Sequence, residues 1–219
     1  MIGRILSVLI GYVFGMFQTG YFYGKIFENT DIRTKGSGNA GTTNVLRTFG
    51  PKAAIIVLIG DMLKVILTCL LCMWLFGDSN TLRGGNNLIY MLYGGLGCTL
   101  GHNFPFYMHF KGGKGIAVMG GLIIITNPTL TLIGLVIFVA AVALTRFVSL
   151  GSILVSLMFA VGWLVMGLMG KLPLYPHLLP ESYILAAIIG LMAIWQHREN
   201  IKRLLAGNER KISFKKTVQ

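Results

Sequence analysis

Apolar and polar positions separate along this chain into long blocks. Apolar runs cover residues 5–24, 53–77, 88–101, 115–144, 150–170 and 182–195. The run over 115–144 is interrupted at Asn127-Pro128, a pair that favours a turn and bars a continuous helix, so it divides in two. Seven segments result. The longer ones approach or exceed the roughly 20 residues that a helix needs to cross a bilayer. The runs at 88–101 and 182–195 hold 14 residues each, only about 21 Å of helix. Short helices suit places where the backbone lines a protected polar cavity. The pattern predicts an all-α integral membrane protein with about seven transmembrane helices; five full spans plus shorter helices is the alternative. The first segment reads as a retained span: only Arg4 precedes it, and no convincing small-residue cleavage site follows.

Composition narrows this further. The chain is 54% hydrophobic and only 12% charged, about half the charge of an average soluble domain. This leaves a single membrane domain over 1–219 with no room for a soluble module. The net charge of +12 would suggest nucleic acid in a soluble protein. Here it reads as cytoplasmic loop charge facing anionic lipids and anionic substrates, with no nucleic-acid partner.

The polar blocks also give an orientation. Fifteen Lys and Arg fall in the blocks at 25–52, 102–114, 145–149 and the tail from Gln196. Three (Arg4, Arg83 and Lys171) fall in the opposite set, and Lys64 lies inside the second apolar run. The asymmetry predicts a cytoplasmic C-terminus, an outside N-terminus and an odd number of spans.

Every informative polar cluster belongs to the basic set. In the first, Gly36, Gly38 and Gly41 carry a G-x-G-x-x-G spacing without the strand–helix context of a dinucleotide site. Glycines still let backbone N–H groups close on an anion. Ser37, Asn39, Thr42, Thr43 and Asn44 add polar groups, and Arg47 adds a fork suited to phosphate. In the second, His102 precedes Lys111, Gly112, Gly113, Lys114 and Gly115, which open an apolar helix. A helix N-terminus with lysines and glycines is an anion site, although the Walker A spacing is absent. The third is Arg146 with Ser149. The fourth is His197, Asn200 and Arg203, about one helical turn apart, followed by Glu209.

Asp61 and Lys64 lie three apart inside the second apolar run. Intramembrane charge is costly and therefore purposeful. An ion pair facing the bundle and a direct supporting role at the site are both open. Cys69, Cys72 and Cys98 read as packing residues. The four histidines lack metal-ligand spacing, so no metal or other cofactor is expected. A small transporter of a phosphorylated solute remains an alternative, but no inverted repeat is visible and the polar residues crowd one face. A CDP-alcohol phosphotransferase is disfavoured, since its aspartate-rich metal motif is absent.

The clusters at 36–47, 102–115 and 197–209, in this order and on one face, closely resemble the loop motifs of the bacterial acyl-phosphate:glycerol-3-phosphate acyltransferase (PlsY) family. The likeness spans nearly the whole chain and includes the segment with Arg146 and Ser149. The resemblance implies seven transmembrane helices in the bacterial cell membrane and an active site facing the cytoplasm. It implies acyl transfer from acyl phosphate to glycerol 3-phosphate, giving lysophosphatidic acid and phosphate, the first acylation of bacterial phospholipid synthesis. A phosphate acyltransferase would supply the acyl phosphate. On this reading Ser37, Arg47, Lys111 and Lys114 hold phosphates, helped by the glycines. Ser149, His197 and Asn200 orient the acceptor. The proton acceptor stays open between the donor's own phosphate and His102 or His197.

Overall fold

The computed structural model describes residues 1–78 and 81–212. Lys215 and Lys216 of the basic tail, and two residues of the 78–87 loop, lie outside the described residues. The described chain is helical throughout, with α1 (Ile2–Met16), α2 (Thr19–Phe27), α3 (Thr42–Phe49), α4 (Pro51–Phe76) and α5 (Asn87–Asn103). These are followed by α6 (Ile116–Thr126), α7 (Pro128–Thr145), α8 (Val148–Leu168), α9 (Leu179–Gln196) and α10 (Arg198–Leu205). Five stretches are long and apolar enough to span a bilayer: Ile2–Phe27, Pro51–Phe76, Pro128–Thr145, Val148–Leu168 and Pro176–Gln196. The shorter α5 and α6 pack among them. Large side chains such as Leu132, Val136, Val139 and Leu144 stay exposed on the rim, as a lipid-facing surface requires.

The seven segments alternate in direction. Arg4 at the start of α1 bonds Glu181 at the start of α9, at 2.6 Å. Arg83 bonds the Ile125 carbonyl at the end of α6. These contacts define one end of the bundle. At the other end, the residue after Arg210 and Lys211 returns to α7, with Ile212 N–H donating to the Arg146 carbonyl at 2.8 Å. The N-terminus and the last described residue therefore lie at opposite ends.

Two local features shape the bundle. The apolar run 5–24 is not one helix, because it breaks at Phe17 and Gln18. The broken end of α1 is met by the Lys64 ammonium, which donates to the carbonyls of Gly15 (3.2 Å) and Phe17 (2.7 Å). A cation there complements the negative end of a helix. The buried Gln18 amide donates to the His102 carbonyl at 2.7 Å. The second feature is backbone contact between α1 and α5. A Cβ on Gly11, Gly15, Gly97 or Gly101 would sit 2.1 Å from a carbonyl of the facing helix. Both helices use a small-x-x-x-small spacing, which permits close approach in a membrane. The sequence reading missed both.

Asn127-Pro128 does divide the fourth apolar run. Asn127 Oδ1 caps α7 by accepting from Leu130 N–H at 3.0 Å, and Pro128 fills the first turn, where a missing N–H costs nothing. Cys69, Cys72 and Cys98 are buried free thiols in the core.

Candidate active site

The first loop is folded by its own asparagines. The Asn44 amide accepts from Ser37 N–H at 2.8 Å. It donates to the carbonyls of Ile32, Lys35 and Asn39 at 3.3, 3.0 and 2.9 Å. Asn44 is thus the template of the loop, with its amide already engaged. Gly36 is required beside it: φ is +59°, and a Cβ would lie 2.2 Å from Asn44 Oδ1. Asn39 Oδ1 accepts from Gly41 N–H at 2.9 Å, and its Nδ2 reaches the Gly112 carbonyl at 3.4 Å, tying the first loop to the second. Ser37 remains exposed, and α3 presents Thr43 and Arg47.

The second loop folds back on the end of α5. Gly112 and Gly113 donate backbone bonds to the carbonyls of Asn103 and His102, both at 3.0 Å. The His102 ring occupies the place of a Cβ on Gly113, which would lie 2.1 Å from Nε2. The ring's other nitrogen, Nδ1, is 2.9 Å from Lys64 Nζ. An ammonium only donates, so Nδ1 accepts and the ring proton sits on Nε2, facing the loop. Lys64 also pairs with Asp61 at 2.9 Å, and Asp61 accepts from Thr19 at 2.9 Å. These buried charges secure one another and the broken α1. Gly115 caps α6 in the left-handed region, and Lys114 bonds the Asn200 side-chain oxygen.

The third part converges on one carboxylate. Glu209 Oε1 accepts from Ser149 Oγ at 3.0 Å and Asn200 Nδ2 at 2.8 Å. Its Oε2 accepts from Arg203 Nε at 2.8 Å. The three donors hold the Glu209 carboxyl below its ordinary pKa against the opposing effect of burial. His197 Nδ1 lies 2.8 Å from the Ala193 carbonyl, so Nδ1 carries the proton and Nε2 is left as an acceptor. Burial, reinforced by the Lys114 charge, pushes the His197 pKa down to about 4.

These parts surround one cavity of about 1020 Å³. Every site residue named from the sequence lines it except Lys64 and Arg146. Lys64 faces α1 instead, and Arg146 holds the segment that follows α10, its guanidinium donating to the Ile212 carbonyl at 3.2 Å. Arg47, Lys114, Arg203 and Arg210 gather at the polar mouth, where Glu209 is the carboxylate facing them. Burial and the charges of Arg203 and Arg47 lower the Lys114 pKa to about 8, against the pull of Glu209. Burial and Arg210 likewise lower that of Arg47. Among the described residues, neither Arg47 nor Lys114 pairs with a carboxylate. Crowded, unneutralised cations are an anion site. Beyond the mouth the wall turns apolar, along α6, α7 and α8.

Sequence reading missed Asn103, Arg210 and this apolar wall. Asn103 is 2% exposed, and neither of its amide atoms has a partner among the described residues. Its place next to His102 in the second cluster was the available signal.

Comparison with known proteins agrees with this geometry. A family model described as glycerol-3-phosphate acyltransferase matches residues 5–207. A protein of that name from Thermoanaerobacter sp. (strain X514) is 37% identical over 98% of both chains. One from Clostridioides difficile (strain 630) is 37% identical over 97% of both. Among solved structures, PlsY (YgiH), an integral membrane glycerol 3-phosphate acyltransferase, matches in its glycerol 3-phosphate form with a TM-score of 0.79. The identity is 31%, over 96% of both chains. Its lysophosphatidic acid form matches with a TM-score of 0.77 at 30% identity.

Proposed function

Since this chain belongs to the glycerol-3-phosphate acyltransferase family, we propose that it moves a long-chain acyl group from acyl phosphate to glycerol 3-phosphate. The observation that carries the proposal is the join within one cavity. Arg47 and Lys114, neither paired with a carboxylate among the described residues, stand at its mouth, and an apolar slot extends from them into the bundle. An anionic head on a greasy tail fits that join. The phosphate of the acceptor fits the same cations.

The reaction needs no acyl-enzyme. A glycerol hydroxyl oxygen attacks the acyl carbon, the bond from that carbon to the phosphate oxygen breaks, and the hydroxyl proton leaves with the phosphate. Ser37, Arg47, Lys111 and Lys114 hold phosphoryl oxygens, with the glycine-rich backbone beside them. Ser149 and Asn200, held by Glu209, place the acceptor. Charge stabilisation and positioning supply the catalysis.

The tautomers bear on the proton. His102 presents Nε2–H and acts as a donor. His197 Nε2 accepts, but its pKa of about 4 makes it a weak base. A phosphate monoester titrates near ~6 and is the stronger one, so the departing phosphate takes the proton.

The Lys/Arg asymmetry supports a cytoplasmic position for this end, where a phosphate acyltransferase would deliver acyl phosphate. A reporter at the N-terminus should then be accessible from outside. For the activity, purified protein is given palmitoyl phosphate and glycerol 3-phosphate. Phosphate release that depends on the acceptor is expected. Its absence overturns the proposal.

A further inference from the structure

Gly120 sits in the middle of α6, and nothing around it requires a glycine. Its backbone is not in the left-handed region. A Cβ built on it would meet no heavy atom within 4 Å. Its neighbour Gly121 is different: a Cβ there would lie 2.6 Å from the Met62 carbonyl, so packing of α6 on α4 demands it. Glycine inside a helix is less stable than alanine. At position 120 that loss has no structural return, and such positions point to function.

The space beside Gly120 is the apolar slot. Gly120 lies five residues past Gly115, about 7 Å along α6 from the cation mouth. The slot continues past it to Ile124, Leu130 and Gly134. Its α7 wall runs from Val142 down to Leu130, twelve residues or about 18 Å of helix. An apolar slot of this depth, continuous with a phosphate-binding mouth, fits an extended unbranched chain attached to an anionic head.

We propose that Gly120 is a specificity-determining residue: its missing side chain keeps the slot open beyond its upper part and so sets the acyl-chain length accepted. The proposal rests on the acyl-transfer reading above and extends it to the donor's tail. A side chain at 120 shortens the slot from the wall, while the mouth, which binds the phosphates, is unchanged.

The test measures kcat/KM for palmitoyl phosphate and octanoyl phosphate at saturating glycerol 3-phosphate in wild type, Gly120→Ala and Gly120→Leu. In Gly120→Leu the palmitoyl-to-octanoyl ratio should fall about tenfold or more, the scale of methylene discrimination in apolar pockets. Octanoyl transfer should stay within about twofold, because the phosphate mouth is untouched. Gly120→Ala should show a smaller shift and melt no lower than wild type. Should Gly120→Leu not fold, Gly120→Val takes its place, and a graded shift through Ala and Val supports the proposal equally. A ratio unchanged in folded variants overturns it and makes the slot a crevice filled by bilayer lipid. If wild type transfers no acyl chain of either length, the acyl-transfer reading itself falls.

Discussion

Ser149 and Glu209, sixty residues apart in sequence, meet at 3.0 Å from Oγ to Oε1. One is in the first turn of α8 and the other lies past the end of α10. The same carboxylate holds Asn200 and Arg203, so a single side chain sets the spacing of three groups at the cavity mouth.

Replacing Glu209 therefore releases all three donors together. Glu209→Ala should lower kcat/KM by about 10²-fold, as charge-assisted hydrogen bonds contribute roughly 1.5–3 kcal/mol each. Glu209→Gln keeps one acceptor oxygen and should recover part of the loss. Steady-state kinetics with both substrates decide it. Equal activity in Glu209→Ala and wild type would show that the carboxylate orders nothing.

Arg47 is half-buried, donates to the Arg210 carbonyl at 3.1 Å and, among the described residues, forms no ion pair with a carboxylate, so its charge is available to a ligand. Arg47→Ala should cost about 10²-fold in kcat/KM, similar to removing one preorganised donor from an oxyanion site. Arg47→Lys should restore little, because a point charge lacks the planar fork. A fully active Arg47→Ala protein removes this residue from the site.

Lys114 gives the pH profile a direction. Its folded pKa is lowered to about 8, so the ammonium is lost as pH rises through that value. If the charge holds phosphate, kcat/KM falls on the alkaline side with a midpoint near 8. Lys114→Arg should move that limb upward, since a guanidinium keeps its proton. His197, with its pKa near 4, is neutral well below neutral pH and should add no acid limb above about pH 5.

The buried pair of Asp61 and Lys64 should govern stability. Lys64→Ala strands the Asp61 carboxylate and frees the Gly15 and Phe17 carbonyls. Removing one partner of a buried pair costs about 3–5 kcal/mol. Thermal unfolding in detergent should show a large drop for Lys64→Ala and a smaller one for Lys64→Met combined with Asp61→Leu. The double variant should not recover fully, as the carbonyls of α1 still lack their donor.

The sequence made the segments legible because a membrane forces long apolar runs and pushes charge to their ends. Asn127-Pro128 showed its turn for a local reason, a cap and a proline in the first helical turn. The break at Phe17 and Gln18 was hidden because its stabilising donor, Lys64, is remote in sequence. In the same way, the polar site residues stood out against an apolar background, but their partners did not. Asn44 and Arg47 look alike as polar residues of one motif, yet Asn44 spends its amide on the loop while Arg47 faces the cavity. The apolar wall was invisible for another reason: in a membrane protein, residues lining a greasy slot look like those facing lipid.

The position of Glu209 has a consequence for synthesis. All seven apolar segments emerge from the ribosome before it does. A chain stopped just after α10 carries every span and nearly every polar group of the mouth, but lacks the carboxylate that aligns Ser149, Asn200 and Arg203. Such a fragment would insert with an unaligned mouth and, like Glu209→Ala, should fall about 10²-fold in kcat/KM. Full turnover thus waits until translation has passed residue 209.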